Sequence, residues 1–303
     1  MSFRRLARPS LRLGAAALAA VTLAACGSSG GDAGDDGRIS VVATTNVYGD
    51  IAATIGGDAV DVTSIISDPS RDPHSYEADA KTQLTLRDAD LVIENGGGYD
   101  DFADTMLDAA GSDAVVLNVV DLSGLDEGGE FNEHVWYSLP TVITLVDRLV
   151  QELSSLDGDA ASTFEANGDQ LKEKIRGLED RADAIAATSG GANVLVTEPV
   201  PLYLLEACGL TNVTPEAFSE AIEEETDVAP RDLQEMLSII AGGGVRILAF
   251  NEQTSGPASE QVVKAAREAG ITVIPVRETL PDGEGYVAWM AGYLTQIKDA
   301  LSA

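Results

Sequence analysis

Histidine, cysteine, aromatic residues and positive charge are all scarce in this 303-residue chain. It contains two histidines, two cysteines and 5% aromatic residues, and 19 Lys and Arg stand against 50 Asp and Glu. The formal net charge of −31 disfavours nucleic acid and anionic membrane surfaces as partners, because both repel an acidic protein. We therefore expect a protein that binds no nucleic acid and attracts cations.

The first 25 residues have the pattern of a secretory signal peptide. Four arginines precede the apolar stretch from Leu13 to Leu23, which is too short to span a bilayer as a helix. Small residues then lead to Cys26, and segments of this kind are removed on export. Residues 26–38 follow as a Gly-, Ser- and Asp-rich stretch, which predicts a flexible tether.

Beyond the signal segment and the cysteine that directly follows it, Cys208 is the only cysteine of the chain. An intramolecular disulfide is therefore not expected, and the exported domain must depend on its apolar core. Cys208 follows Leu204, Leu205 and Ala207 at the apolar end of a predicted helix. We expect it to be a buried packing residue and not a catalytic one.

Short β-branched runs alternate with segments of helical periodicity in two parts of the chain. The predicted strands lie at 39–45, 60–66, 91–94 and 114–119 in the first part and at 193–197, 245–251 and 271–276 in the second. This alternation is typical of a mostly parallel sheet that is flanked by helices. It predicts two α/β lobes, at 39–155 and 191–303.

Residues 160–187 predict one long helix between these two parts. Apolar residues recur every three or four positions there, among Glu, Lys, Arg and Asp. We therefore place a linking helix at 156–190, between the two lobes.

Four polar side chains lie in loops or directly after predicted strands: His74, His134, Glu198 and Glu278. Ligands of doubly wound sheets bind beyond the carboxyl ends of the strands, and two of these residues come from each lobe. Neutral imidazole is a common metal ligand, and two imidazoles with two carboxylates would neutralise a dication. The four residues predict a divalent-metal site in the cleft between the lobes.

Each residue also has an ordinary structural interpretation. Either histidine alone could be a surface residue or one with satisfied hydrogen bonds. Glu198 could be an acid at a helix N-terminus, where it would stabilise the helix dipole. Glu278 could be a loop carboxylate that pairs with Arg277. The metal interpretation depends on the four occurring together.

Four short motifs surround these positions. They are Asp72-Pro73-His74-Ser75-Tyr76-Glu77 with 89–96 after it, the stretch 132–137, Thr197-Glu198-Pro199-Val200, and Arg277-Glu278-Thr279-Leu280 with Tyr286 and Met290 after it. Together they resemble the four ligand regions of the metal-binding lipoproteins of zinc and manganese ABC transporters. The resemblance implies lobes joined by one long rigid helix, with one Zn²⁺ or Mn²⁺ as cargo. It also implies a membrane permease as partner and a protein that acts as a monomer.

Leu23-Ala24-Ala25-Cys26 resembles the lipobox of bacterial lipoproteins. That resemblance implies that Cys26 carries lipid at the mature N-terminus. The protein would then be extracytoplasmic and anchored to the lipid bilayer of the cell membrane.

Several residues depart from the family pattern. Glu278 stands where the family usually has Asp, Ser138 follows the Trp-Tyr pair where Asp is frequent, and Ala78 takes the place of a frequent Pro. The loop at 121–133 is acidic, whereas many zinc members have a His-rich loop. A carboxylate-rich set favours Mn²⁺, yet the Irving–Williams order gives Zn²⁺ the higher affinity at such a site. The sequence leaves the metal open.

Two other functions compete with metal delivery. A metallohydrolase of the cell envelope would need an open coordination position and a general base, and the chain contains no His-Glu-x-x-His motif. A binding protein for a metal chelate, such as a siderophore or corrinoid, would need aromatic or basic groups for a larger ligand. The four candidate ligands suit a bare ion better, and we expect a binding protein and not an enzyme.

Overall fold

The computed structural model describes residues 37–68, 73, 76–125 and 131–302. The strands are β1 (Ile39–Thr45), β2 (Val60–Ile66), β3 (Leu91–Glu94), β4 (Val115–Asn118), β5 (Asn193–Val196), β6 (Thr211–Asn212), β7 (Val245–Asn251) and β8 (Thr272–Val276). The helices are α1 (Asn46–Gly56), α2 (Ala80–Arg87), α3 (Phe102–Ala110), α4 (Val119–Ser123), α5 (Leu139–Leu156), α6 (Ala161–Ser189), α7 (Leu202–Ala207), α8 (Glu216–Glu223), α9 (Pro230–Gly242), α10 (Pro257–Glu268) and α11 (Tyr286–Ser302). Short 3₁₀ turns lie at Gly57–Ala59 and Val135–Tyr137.

The strands form two four-stranded parallel sheets with the same strand order. The first sheet has the order β2-β1-β3-β4, and the second has the order β6-β5-β7-β8. Parallel neighbours need crossover connections, which the helices between the strands provide. The prediction of two α/β lobes, each a parallel sheet flanked by helices, is confirmed. Strand β6 was not predicted, because a strand of two residues is too short to show an alternation of apolar and polar residues.

The predicted long helix is confirmed as α6. Its 29 residues give a length of about 44 Å. Its buried side is apolar at three- to four-residue spacing and comprises Phe164, Gly168, Leu171, Ile175, Leu178, Ala182 and Ile185. This side packs against α1, α5 and α11.

One apolar core includes side chains from both sheets and from the helices around α6. Residues 37–303 accordingly form one compact unit. The lobe limits at 39–155, 156–190 and 191–303 stay predictions. Cys208 is fully buried in this core as expected, and burial raises the pKa of its thiol to about 12.

Helices α5 and α6 approach each other closely at Gly168. A Cβ atom there would lie 2.4 Å from Cγ2 of Val150, whereas a Cβ at Gly177 in the same helix would meet nothing within 4 Å. Alanine raises helix propensity over glycine by about 1 kcal/mol, and overpacking costs roughly 1–3 kcal/mol. Replacement by alanine should therefore cost more in overpacking than it gains in helix propensity at Gly168, but not at Gly177.

We expect Gly177→Ala to stabilise the protein by about 1 kcal/mol and Gly168→Ala to be neutral or destabilising by up to about 2 kcal/mol. Urea unfolding of the two metal-free variants measures the difference in their free energies of unfolding. The comparison requires that this free energy falls equally steeply with urea concentration in both variants. Equal stabilisation by the two substitutions would show that the helices have room at Gly168.

Among the residues that the structure describes, no helix is both long and apolar enough to cross a membrane.

Candidate metal centre

Two predicted ligands of the C-terminal lobe follow strands β5 and β8, which lie on either side of β7 in the sheet. Glu198 lies two positions beyond β5, and Glu278 lies two positions beyond β8. Both side chains are buried, with 2% and 1% of their surface exposed. Buried carboxylates are costly unless they are paired, hydrogen-bonded or bound to a metal. Glu198 precedes the N-cap Pro201 of α7, so it is not an acid in the first turn of that helix.

Glu278 is held by neutral donors from both lobes. Asn251 Nδ2 donates to its Oε1 at 2.7 Å, and the Tyr99 hydroxyl donates to its Oε2 at 3.1 Å. Arg277, which the sequence suggested as a partner for Glu278, lies 2.7 Å from Glu252 Oε2. The carboxylate of Glu278 is therefore oriented by hydrogen bonds while it keeps lone pairs for a cation.

The side chain of His134, from the N-terminal lobe, lies beside Glu278. Its side chain is fully buried at the start of the 3₁₀ turn, and Nε2 lies 3.9 Å from Glu278 Oε2. The ring packs edgewise against Tyr99 and Trp136, at centroid distances of 5.9 and 5.1 Å. Helix α4 lies between strand β4 and His134, so this histidine does not directly follow a strand as the sequence suggested.

Two predicted site residues lie outside the described residues. They are His74, the first proposed ligand, and Cys26, the proposed lipid attachment point. Residues 26–36 of the proposed tether and 126–130 of the acidic loop also lie outside. The roles of these residues stay predictions.

Two further carboxylates, which the sequence analysis missed, lie beside His134. One ligand atom from each of Glu133, His134 and Glu223 lies within 4.8 Å of the others, and Glu223 Oε1 is 3.7 Å from His134 Nδ1. Glu223 ends helix α8, which was not predicted. The Glu-rich sequence of α8 does not indicate which of its glutamates faces inward. Glu133, in contrast, could have been predicted as a site residue because it directly precedes His134.

The carboxylates in this region repel one another. Burial raises the pKa of Glu223 to about 9, with further contributions from the charges of Glu133 and Glu198. Burial likewise raises the pKa of Glu133. A bound dication would relieve this repulsion, so the electrostatics of the region favour a cation.

A pocket of about 660 Å³ lies beside these residues. Both lobes line it, through Gly97, Asn132 and Glu133 on one side and Pro199 and Glu223 on the other. Glutamates line much of it, namely Glu133, Glu216, Glu220, Glu223, Glu224 and Glu225. The pocket offers a hydrated cation an acidic approach to the buried residues.

Sequence comparison matches nearly the whole described chain. A sequence model of the family "Zinc-uptake complex component A periplasmic" matches residues 41–300. The manganese-binding lipoprotein MntA of Bacillus subtilis (strain 168) is 28% identical over 276 residues, which cover 86% of each chain. The iron ABC transporter substrate-binding lipoprotein MtsA of Streptococcus pyogenes serotype M1 is 28% identical over 248 residues, 76% of this chain and 77% of that one.

Comparison with solved structures gives the same fold. The periplasmic zinc-binding protein TroA from Treponema pallidum superposes with a TM-score of 0.73 at 19% identity. The match covers 88% of this chain and 99% of that structure. At this identity the likeness shows the architecture alone.

Proposed function

The chain belongs to the zinc-uptake complex component A family, and we propose that it captures a divalent metal ion outside the cytoplasm and delivers it to an ABC importer. The observation that carries this proposal is the meeting of buried ligand atoms from the two lobes. His134 Nε2 lies 3.9 Å from Glu278 Oε2, and both side chains are buried. Two relatives support it: MntA, which is named a manganese-binding lipoprotein, and MtsA, which is named an iron ABC transporter substrate-binding lipoprotein.

His74, His134, Glu198 and Glu278 are the proposed ligands. Two neutral imidazoles and two carboxylates balance the charge of a dication, which limits the cost of burying it. The ion is cargo and no reaction is assigned to it, so the protein is proposed to be a binding protein and not an enzyme.

Zn²⁺ or Mn²⁺ is the proposed cargo. The relatives above are named for manganese and iron, and the solved structure is named for zinc. The carboxylates Glu198 and Glu278 favour a hard ion such as Mn²⁺, whereas the Irving–Williams order favours Zn²⁺. Affinity in vitro therefore does not identify the physiological cargo.

Metal analysis of protein purified without chelator or added metal tests the proposed function. We expect one bound Zn²⁺ or Mn²⁺ per chain, and slow growth of a deletion strain when that metal is limiting. Protein that is metal-free and binds neither ion, with growth unaffected by either limitation, would contradict the proposal.

The proposed partners are a membrane permease and, through lipid on Cys26, the lipid bilayer. The protein would act there as an extracytoplasmic monomer. We expect Cys26→Ala to give a protein that is released from the membrane or incorrectly processed, because no thiol is left for lipid attachment. Mass spectrometry of the mature N-terminus measures this. Wild-type chains that begin at another residue without diacylglycerol would contradict the assignment.

A further inference from the structure

We infer that Asn132 is a positioning residue that fixes the protonated nitrogen of His134 and ties His134 to the segment that carries Glu198. This inference rests on the proposed function, because it concerns the presentation of two proposed metal ligands. Asn132 lies two residues before His134, in the half-buried stretch that leads into the 3₁₀ turn. It contacts both lobes.

Two backbone groups fix the orientation of the Asn132 amide. The backbone N–H of His134 donates to Oδ1 at 3.1 Å, and this group can only donate. Asn132 Nδ2 donates to the carbonyl oxygen of Pro199 at 3.0 Å, and this group can only accept. The amide oxygen must therefore face His134, and the amide nitrogen must face Pro199.

The oriented amide determines which ring nitrogen of His134 carries the proton. Nδ1 lies 2.8 Å from Asn132 Oδ1, and because that oxygen can only accept, Nδ1 must donate. The lone pair of the neutral ring then lies on Nε2, the nitrogen that faces Glu278. Metal-binding histidines commonly use such an N–H bond to fix the orientation and basicity of the ring.

The same side chain joins the two lobes beside the proposed ligands. Pro199, which accepts from Nδ2, directly follows Glu198. The Tyr203 hydroxyl on α7 donates to the backbone carbonyl of Asn132 at 2.7 Å. His134 from one lobe and Pro199, the neighbour of Glu198, from the other are therefore bonded to a single residue, which reduces the ordering needed when an ion binds.

NMR of the ring nitrogens in the metal-free protein tests the tautomer of His134 independently of metal binding. His74→Gln leaves His134 as the only histidine, since the chain has two. Under conditions where the ring carries a single proton, we expect that proton on Nδ1 and none on Nε2. Adding Asn132→Ala should populate the Nε2–H form, whereas Asn132→Asp should keep the proton on Nδ1 because a carboxylate oxygen still accepts. A proton that stays on Nδ1 in the Asn132→Ala variant would overturn the inference.

Calorimetric titration with Zn²⁺ in the otherwise native chain tests the consequence. We expect Asn132→Ala to weaken binding about 10- to 100-fold, the usual effect of removing a group that orients a ligand. Asn132→Asp loses the bond to Pro199 but adds a negative charge that attracts the ion, so its affinity should fall less than that of Asn132→Ala. Asn167→Ala is the matched control, because Asn167 is also half-buried and donates through Nδ2 to a distant backbone carbonyl, that of Ile55 at 2.9 Å, and it does not line the pocket.

The outcomes separate this inference from the proposed function. A native chain that binds neither Zn²⁺ nor Mn²⁺ would contradict the function, and the NMR result would still decide the tautomer. A native chain that binds Zn²⁺, with Asn132→Ala and Asn132→Asp both unchanged in affinity, would overturn the positioning role alone. If Asn132→Ala does not fold, a proton found on Nε2 in the Asn132→Asp variant would still overturn the inference.

Discussion

Replacing His134 by alanine or Glu278 by glutamine is expected to weaken Zn²⁺ and Mn²⁺ binding more than about 100-fold. Loss of a residue that only orients a ligand costs 10- to 100-fold, so loss of the ligand itself should cost more. The two side chains approach each other from different lobes at 3.9 Å, and each is buried. Removing either would leave an under-coordinated dication in a water-poor site. His74→Ala should have the same effect if His74 is the first ligand.

Calorimetric titration of each variant measures the loss. Glu235→Gln is the control for Glu278→Gln, because Glu235 is an exposed glutamate on α9, and the same charge change there should leave affinity unchanged. Circular dichroism checks that each variant folds. Near wild-type affinity in folded His134→Ala protein would mean that the metal is held elsewhere.

Metal should stabilise the protein, and more strongly at pH 7.5 than at pH 5.5. At a free metal concentration 100 times the dissociation constant, the free energy of unfolding should rise by about 2.7 kcal/mol, because the ion binds the folded state. Protons compete with metal for imidazole, whose ordinary pKa is near 6.5, so acid weakens binding. The raised pKa of Glu223, about 9, acts with the same sign. A cation nearby favours the ionised carboxylate, so binding releases protons and strengthens as pH rises.

Thermal melting at both pH values, with and without Zn²⁺ or Mn²⁺ at one fixed concentration, measures this effect. The metal-induced increase in melting temperature should be clearly larger at pH 7.5. An equal increase at the two pH values would mean that imidazole does not bind the ion, and the assignment of His134 would fail.

Local sequence patterns were enough to predict most of the strands and the long helix. Runs such as 39–45 and 60–66 are rich in β-branched residues, which predicted strands there, and the three- to four-residue apolar spacing of 160–187 predicted α6. Glu198 and Glu278 were found because each lies within two positions of the end of a predicted strand. Strand β4 was extended to Val119, whereas it ends at Asn118, whose side chain caps α4 by accepting from the backbone N–H of Asp121.

Contacts between distant segments could not be predicted. Helix α8 has only Phe218 and Ile222 buried, so its Glu-rich sequence resembles a solvated segment. The approach of Glu223 to His134 depends on how the two lobes pack. The role of Asn132 could not be predicted either, because its bond to the Pro199 carbonyl joins segments that are far apart in the chain.

Anomalous diffraction from crystals of Zn²⁺-loaded protein tests the central claim most directly. We expect one strong peak between the lobes, about 2.0–2.2 Å from His134 Nε2 and from carboxylate oxygens of Glu198 and Glu278. A peak on the other side of the ring, bound by Glu133 and Glu223 near His134 Nδ1, would contradict the assignment of these ligands. The absence of any ordered peak between the lobes would contradict the metal site itself.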